Sequence, residues 1–226
     1  MRLGCVITSH GEDELFPAAV ERLRAEADRV IAIENLKGHN EGVADIVNPL
    51  PSSNSENINQ GYRRLVSCEI VVICNADIIV PAGWRVPLEA AFADPRIGAA
   101  ALPMNSPAKR PGLCSSTFLV FTAIRRSAVT WGELADERMV NDADDVMLSW
   151  NLYSRGWKQI IVNGPLLVHR TRRTPLRRAG LAQDGESYRS GQPTPRSGAA
   201  AFIDTFEDRA EGVRMFELML EEEHNG

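Results

Sequence analysis

The run EIVVICNAD at residues 69–77 is apolar without a break from Ile70 to Cys74 and then releases Asn75 and Asp77. A strand with one face in water alternates apolar and polar side chains. A strand that does not alternate needs cover on both faces, which a sheet obtains from helices packed on either side. The flanking sequence supplies those layers. LGCVITS (3–9) reads as a strand, and DELFPAAVERLRAEA (13–27) as a helix carrying Phe16, Ala19, Val20, Leu23 and Ala27 on one face. RVIAIEN (29–35) is a second strand, VADIVN (43–48) a third, and ENINQGYRRLVS (56–67) a second helix. EIVVICNAD then becomes the fourth strand of a βαβ-type half-domain, and the expected class is α/β, a central sheet flanked by helices in a single domain.

The second half is less regular. GWRVPLEAAFADP (83–95) reads as a short helix ending before Pro95, IGAAALPM (97–104) as a strand, and residues 104–116 as a Pro-punctuated loop. STFLVFTAI (116–124) is a strand. DADDVMLSWNLYSRGW (142–157) is a helix capped by Asn141 or Asp142 and closed by Gly156. KQIIVNGPLLVHR places two short strands around a Gly-Pro turn. Residues 170–198 then lose apolar periodicity and are rich in Arg, Pro, Gly and Ser. A final amphipathic helix carries Phe202, Phe206, Val213, Phe216 and Leu220, a stripe that packs on the core or on a second copy of the chain. The expected organisation is a core over 1–169, a lid or linker over 170–198 and a terminal helix over 199–226.

With 226 residues, 44% of them hydrophobic and 24% charged, the chain has the composition of an ordinary globular protein. A net charge of −5 excludes a generally polyanion-binding surface, while leaving room for a local basic cluster. Cys5, Cys68, Cys74 and Cys114 show no Cys-x-x-Cys spacing and read as buried thiols, from which a cytoplasmic setting is expected. No stretch approaches the roughly 20 apolar residues that cross a bilayer, so no integral membrane segment is expected.

Asn-Ala-Asp at a strand end is by itself an ordinary turn feature, because Asn and Asp satisfy turn backbone. Its order in the chain says more. Asn75-Ala76-Asp77 is followed by Gly132-Glu133-Leu134-Ala135-Asp136-Glu137, then by Asp144-Asp145, Leu148 and Arg155-Gly156-Trp157. Over roughly residues 3–170 this series resembles the inverting GT-A glycosyltransferases of the family-two group. There an N-P-D or D-x-D element closes the fourth strand, a G-x-x-D-E turn follows, and an E-D-x-D-L segment opens a helix.

The resemblance implies a GT-A type fold, a Rossmann-like mixed central sheet flanked by helices, and transfer of a sugar with inversion from a nucleoside-diphosphate-sugar donor to an acceptor hydroxyl, with Mn²⁺ or Mg²⁺ neutralising the departing diphosphate. Asp77 is the implied metal ligand, and His169 matches a histidine that completes the metal site in many members of the fold. Asn75 stands where the family often has its first Asp, keeping an oxygen and losing a charge. Asp145 takes the place of the general base, with Asp144 beside it. Three acids at a helix start exceed what capping needs, which also favours chemistry there. Thr8, Ser9 and Glu34 occupy the places that grip base and ribose. Asn57, Asn59 and Gly61 resemble the family's R-N-x-G element beside the donor, without its Arg. Arg170, Arg172 and Arg173, followed by Arg177 and Arg178, form the candidate phosphate-covering segment.

The same Arg cluster also reads as a solvated linker, or as a contact to DNA if the acceptor were a modified base. The acceptor is otherwise open among glycan, protein and small molecule. Trp84, Trp131 and Trp157 are candidate stacking platforms for an acceptor sugar. A non-catalytic nucleotide- or sugar-binding module on the same scaffold is the rival from another class. A sugar nucleotidyltransferase would need a Gly-rich loop with Arg and Lys after the first strand, and a dinucleotide-dependent oxidoreductase would need G-x-G-x-x-G there; TSHGEDEL has neither.

Overall fold

The computed structural model describes residues 1–11, 14–50, 52–105, 108–109, 111–114, 117, 120–130, 132–137, 144–170, 206–208 and 210–215. The strands are β1 (Leu3–Ser9), β2 (Arg29–Glu34), β3 (Ile46–Val47), β4 (Ile70–Asn75), β5 (Ile78–Ile79), β6 (Ile97–Ala101), β7 (Met104–Asn105), β8 (Ala108–Lys109), β9 (Gly112–Cys114), β10 (Phe121–Arg125), β11 (Lys158–Ile161) and β12 (Val168–His169). Among the described residues the helices are α1 (Leu15–Glu26), α2 (Asn54–Arg64), α3 (Arg85–Ala91) and α4 (Asp144–Tyr153), with a 3-10 turn at Arg126–Ala128 and a further helical stretch at 210–215.

Eight strands form the central sheet in the order β3-β2-β1-β4-β10-β6-β11-β9. β1, β2, β3 and β4 run parallel, β10 is antiparallel to both β4 and β6, and β11 is parallel to β6. The unbroken apolar run of β4 is explained by cover on both faces. Ile70, Val72 and Cys74 join Leu3, Cys5 and Ile7 of β1 in a core layer with α1 and α3. Val71 and Ile73 join Val6 in the opposite layer with Ile58 and Tyr62 of α2, Leu65 just after it, and Leu148 and Leu152 of α4. The chain is thus the expected mixed α/β single domain.

The differences from expectation lie in the short elements. β4 stops at Asn75 rather than Asp77, and a two-residue strand β5 follows it. β3 shrinks to Ile46–Val47; ahead of it Asp45 closes a two-way contact with β2, its N–H donating to Ala32 O at 2.8 Å and its carboxylate accepting from Ala32 N–H at 2.8 Å and from Arg24 at 3.0 Å. The Pro-punctuated segment expected as a loop contains β7, β8 and β9, and β9 forms an edge of the main sheet beside β11. Helix α2 begins earlier than expected, since Ser53 and Glu56 form a reciprocal capping box: Ser53 Oγ accepts from Glu56 N–H at 3.1 Å and Glu56 Oε2 accepts from Ser53 N–H at 2.8 Å.

Gly61 sets how closely α2 approaches the sheet. A Cβ at this position would lie 2.4 Å and 2.7 Å from the two γ-methyls of Val6. Val6 is fully buried and stiff about χ1, so it cannot swing away. Gly61→Ala is expected to destabilise the protein by about 1–3 kcal/mol through overpacking, despite the better helix propensity of Ala. In a domain of this size that is a fall in Tm of roughly 2–4 °C per kcal/mol, partly recovered by Val6→Ala on the same background. Thermal unfolding checks this, and an unchanged or raised Tm would show that the close approach is not a constraint.

The stripe expected on the terminal helix falls mostly outside the described residues. Within them, residues 210–215 are helical, Met215 is buried, and the Phe206 ring lies 5.2 Å from that of Trp150 on α4. Among the described residues no helix is long and apolar enough to cross a membrane.

Candidate functional site

The chain leaves β1 towards β2 and β3 on one side and returns to β4 on the other. The reversal of strand order therefore lies between β1 and β4. In open α/β sheets the crevice beyond the carboxyl ends of such strands is where ligands bind. Thr8 and Asn75 stand there as register partners.

Beyond Asn75 the chain turns through Ala76 and Asp77 into β5, which pairs antiparallel with β12 so that Ile78 faces His169 and Ile79 faces Val168. This pairing brings His169 Nε2 to 3.2 Å from Asp77 Oδ2. Backbone bonds hold both residues: Arg170 N–H donates to Asp77 O at 2.8 Å, and His169 N–H donates to Asn105 Oδ1 at 2.7 Å. The Asp77 side chain is 4% exposed and that of His169 13%. One carboxylate oxygen and one imidazole nitrogen side by side form a donor set better matched to Mn²⁺ than to Mg²⁺, which prefers oxygen alone. Among the described residues no group of three or more His, Cys, Asp or Glu side chains is arranged to hold a metal. An ion at this pair would therefore complete its coordination with groups from elsewhere, as diphosphate oxygens can. Cys74 does not compete for it: burial, with smaller contributions from Cys5 and the Asp77 carboxylate, pushes its thiol well above the usual range.

The ends of β1 and β2 meet beside this crevice, with Ser9 opposite Glu34 in register. Glu34 is fully buried and accepts four hydrogen bonds: from Ser9 Oγ at 2.8 Å, Gly11 N–H at 3.1 Å, Leu36 N–H at 2.8 Å and Asn40 Nδ2 at 2.7 Å. Its carboxylate ties the segments after β1 and β2 together, and a ribose hydroxyl would have to displace one of those donors. Thr8 Oγ1 donates to Asn54 Oδ1 at 3.0 Å, fastening β1 to the start of α2.

Next to Glu34 lies a buried amide cluster that sequence reasoning did not single out. Asn35 Oδ1 accepts from Ser52 N–H at 2.9 Å and from Asn48 Nδ2 at 3.2 Å. Asn57 Oδ1 accepts from Asn48 Nδ2 at 2.5 Å and from Ser52 Oγ at 2.7 Å, while its Nδ2 is buried without a hydrogen-bond partner. In the sequence Asn35 and Asn48 read as ordinary strand-end residues and Ser52 as a loop residue, and only Asn57 stood in an element tied to the donor.

Asn59 is placed differently from the donor-side expectation. It is fully buried and bonded to the Gly132–Glu137 turn. Its Oδ1 accepts from Leu134 N–H at 2.9 Å and Ala135 N–H at 3.0 Å, and its Nδ2 donates to Ala135 O at 2.8 Å and Glu137 Oε1 at 3.1 Å. With both lone pairs and both amide hydrogens engaged, it has no capacity left for a nucleotide.

Asp145 lies in the first turn of α4, half-buried, with Oδ1 accepting from the Val146 N–H at 2.8 Å. Helix α4 ends at Tyr153, Gly156 with a φ of 78° turns the chain just beyond it, and β11 follows at Lys158. β11 runs in the same direction as β4, and α4 packs back along it. The start of α4 is thereby at the same end of the sheet as Asp77. Asp144 opens α4, but its side chain lies outside the described residues, as do Arg172, Arg173, Asn141, Asp142 and Trp131. Arg170 is exposed.

Trp84 is not a platform. Its ring is fully buried and meets Phe121 edge to face at 5.5 Å. Trp157 is partly buried against Gly98 on β6. Two cavities lined by described residues, of about 350 and 550 Å³, lie near Trp157 and near Cys68, at the opposite ends of the strands from Asp77.

No protein-family model matches the chain, and no curated protein matches it in sequence. Solved structures do match it. GalNAc-T7 with UDP, GalNAc and Mn²⁺ aligns at a TM-score of 0.61 and 12% identity, over 97% of this chain and 54% of that one. TarS of S. aureus, residues 1–349, aligns at 0.60 and 10%, over 100% of this chain and 72% of that one. Glucosyl-3-phosphoglycerate synthase of Mycobacterium tuberculosis, in complex with Mn²⁺, UDP-glucose and phosphoglyceric acid, aligns at 0.57 and 14%, over 85% and 80%. The chain spans about half the length of the GalNAc-T7 structure and 43% of a longer TarS structure. At these identities the likeness is one of fold, and the fold is that of the GT-A glycosyltransferases.

Proposed function

We propose that the chain is a glycosyltransferase that moves a sugar from a nucleoside-diphosphate-sugar donor to an acceptor hydroxyl, with inversion at the anomeric carbon. The observation that supports this most is the Asp77–His169 pair, 3.2 Å apart at the strand-order reversal of a GT-A sheet. Asp77 and His169 would hold Mn²⁺, which supplies charge neutralisation for the departing diphosphate. Thr8, Asn75 and the Asn57 amide lie on the donor side of the crevice, and Ser9 and Glu34 brace the segments around it. Arg170, anchored through its backbone to Asp77, and Arg172 and Arg173, which follow it in the sequence, are the proposed cationic partners of the phosphates, with 1–169 as the proposed core and 170–198 as the proposed lid. Asp145 accepts the proton of the acceptor hydroxyl as its oxygen attacks the anomeric carbon, and Asp144 is its neighbour in the sequence and the alternative base.

A panel of UDP-, GDP-, dTDP- and CMP-sugars with and without Mn²⁺ tests the reading. At a donor concentration of about 100 Kd, binding adds about 2.7 kcal/mol, a Tm rise of roughly 5–10 °C. NMR of the released or transferred sugar then reads the anomeric configuration, and retention would remove inversion from the proposal. A protein that shifts with no nucleotide and hydrolyses no donor is not this enzyme. A donor-binding module without turnover is the second reading, favoured by the filled carboxylate of Glu34 and the uncharged Asn75; it shifts with a donor and releases no sugar.

A further inference from the structure

Helix α2 makes different contacts on two flanks, because residues two apart on an α-helix are separated by about 200°. Asn54 and Asn57 fasten one flank to Thr8, Asn48 and Ser52. Asn59 and Arg63 fasten the other to the Gly132–Glu137 turn. Arg63 donates to Glu133 and, at 3.3 Å, to Glu137, closing over the four hydrogen bonds of Asn59. The turn shares a buried cluster with α4. Leu134 and Ala135 are buried in one cluster with Ile58 and Tyr62 of α2 and with Leu148 and Leu152 of α4, the helix whose first turn carries Asp145.

We propose that Asn59 is a positioning residue for the transfer reaction. With Arg63 it clips the 132–137 turn to α2 and thereby fixes where the first turn of α4 presents Asp145. This rests on Asp145 being the base, as proposed above. The inference differs from a donor-contact role in its chemistry. An amide offers two donors and two acceptor sites, which the turn requires at this spot: two N–H groups to be accepted, one carbonyl and one carboxylate to be donated to. Asp has the same size and keeps both acceptor functions, but it sets a carboxylate against the Ala135 carbonyl and the Glu137 carboxylate.

The test uses the full chain as parent, Asn59→Asp and Arg63→Met, the second removing only the exposed half of the clip and thus guarding against a folding defect in the first. Hydrogen exchange at the Leu134 and Ala135 amides is expected to rise about tenfold in Asn59→Asp and less in Arg63→Met, as loss of hydrogen bonds lowers the local opening free energy. Binding of UDP with Mn²⁺, measured by calorimetry, stays as in the parent. Hydrolysis of the donor found in the panel loses kcat by up to about 10²-fold with its KM unchanged, the signature of a displaced catalytic group. Unchanged exchange overturns the clip. Faster exchange with unchanged kcat overturns the positioning role, and a raised donor KM at constant kcat returns Asn59 to the donor site. If the parent itself neither binds UDP nor hydrolyses any donor, the reading of the reaction fails and takes the catalytic half of the inference with it, while exchange still decides whether the clip exists.

Discussion

Asp77→Ala is expected to abolish the Mn²⁺-dependent stabilisation by a nucleotide-sugar donor and to lower donor turnover by about 10²–10³-fold. The size follows from the several kcal/mol that a bound cation supplies to a departing diphosphate, at 1.36 kcal/mol per tenfold in rate. The carboxylate supplies the negative charge of the pair, and His169, neutral when it ligates, cannot hold a divalent ion in its place. The substitution spares the scaffold. β5 and β12 pair through the backbone, and the Arg170 N–H bond goes to the main-chain oxygen of Asp77, so both survive removal of the side chain. The variant is therefore expected to melt close to the parent without ligand and to differ from it only when donor and Mn²⁺ are both present. Thermal unfolding under the four conditions separates these effects. Metal-dependent stabilisation that persists in the variant would take Asp77 out of the metal site.

Asp145→Asn is expected to reduce kcat by about 10²–10⁴-fold while leaving donor affinity unchanged, the range over which a positioned general base acts. Asn matches Asp in shape and keeps an oxygen to accept from the Val146 N–H, the bond at 2.8 Å that orients the side chain at the helix start. What it loses is the ability to take a proton. Initial rates of donor hydrolysis and transfer, compared with calorimetric binding of UDP, distinguish this from damage to the donor site. A variant as fast as the parent would move the base elsewhere, with Asp144 the next residue to substitute.

Legibility in the sequence followed how much of a residue's surroundings its neighbours reveal. β1 was readable to the residue, and β2 and β4 nearly so, because strands covered on both faces write themselves as unbroken apolar runs. β5, β7 and β12 have two residues each and carry no period at all. Yet β5 and β12 are what set His169 against Asp77. The resemblance named both residues, and nothing along the chain could show that they touch. Asn59 and Trp84 show the other limit. A polar residue in a helix can face ligand or scaffold, and a Trp after a glycine can face solvent or core; the choice depends on packing partners 75 residues away for Asn59 and 37 away for Trp84. Ser53-x-x-Glu56 was legible as a capping box and would have placed the start of α2 correctly.

The β5–β12 pairing also bears on the order in which the molecule assembles. Asp77 and His169 are 92 positions apart, and closing a loop of that length costs roughly 4 kcal/mol of chain entropy before any local contact compensates it. Two short strands cannot offset such a term alone, so they are expected to meet after β6, β10 and β11 have extended the sheet past β4 and brought the two chain segments together. The amino-terminal half, β1 to β4 with its two helices, is built mainly from nearer neighbours. An ion held by Asp77 and His169, as proposed, would consequently stabilise only a form in which β5 and β12 have paired, and a partly folded form ending at β4 would have no means of holding it.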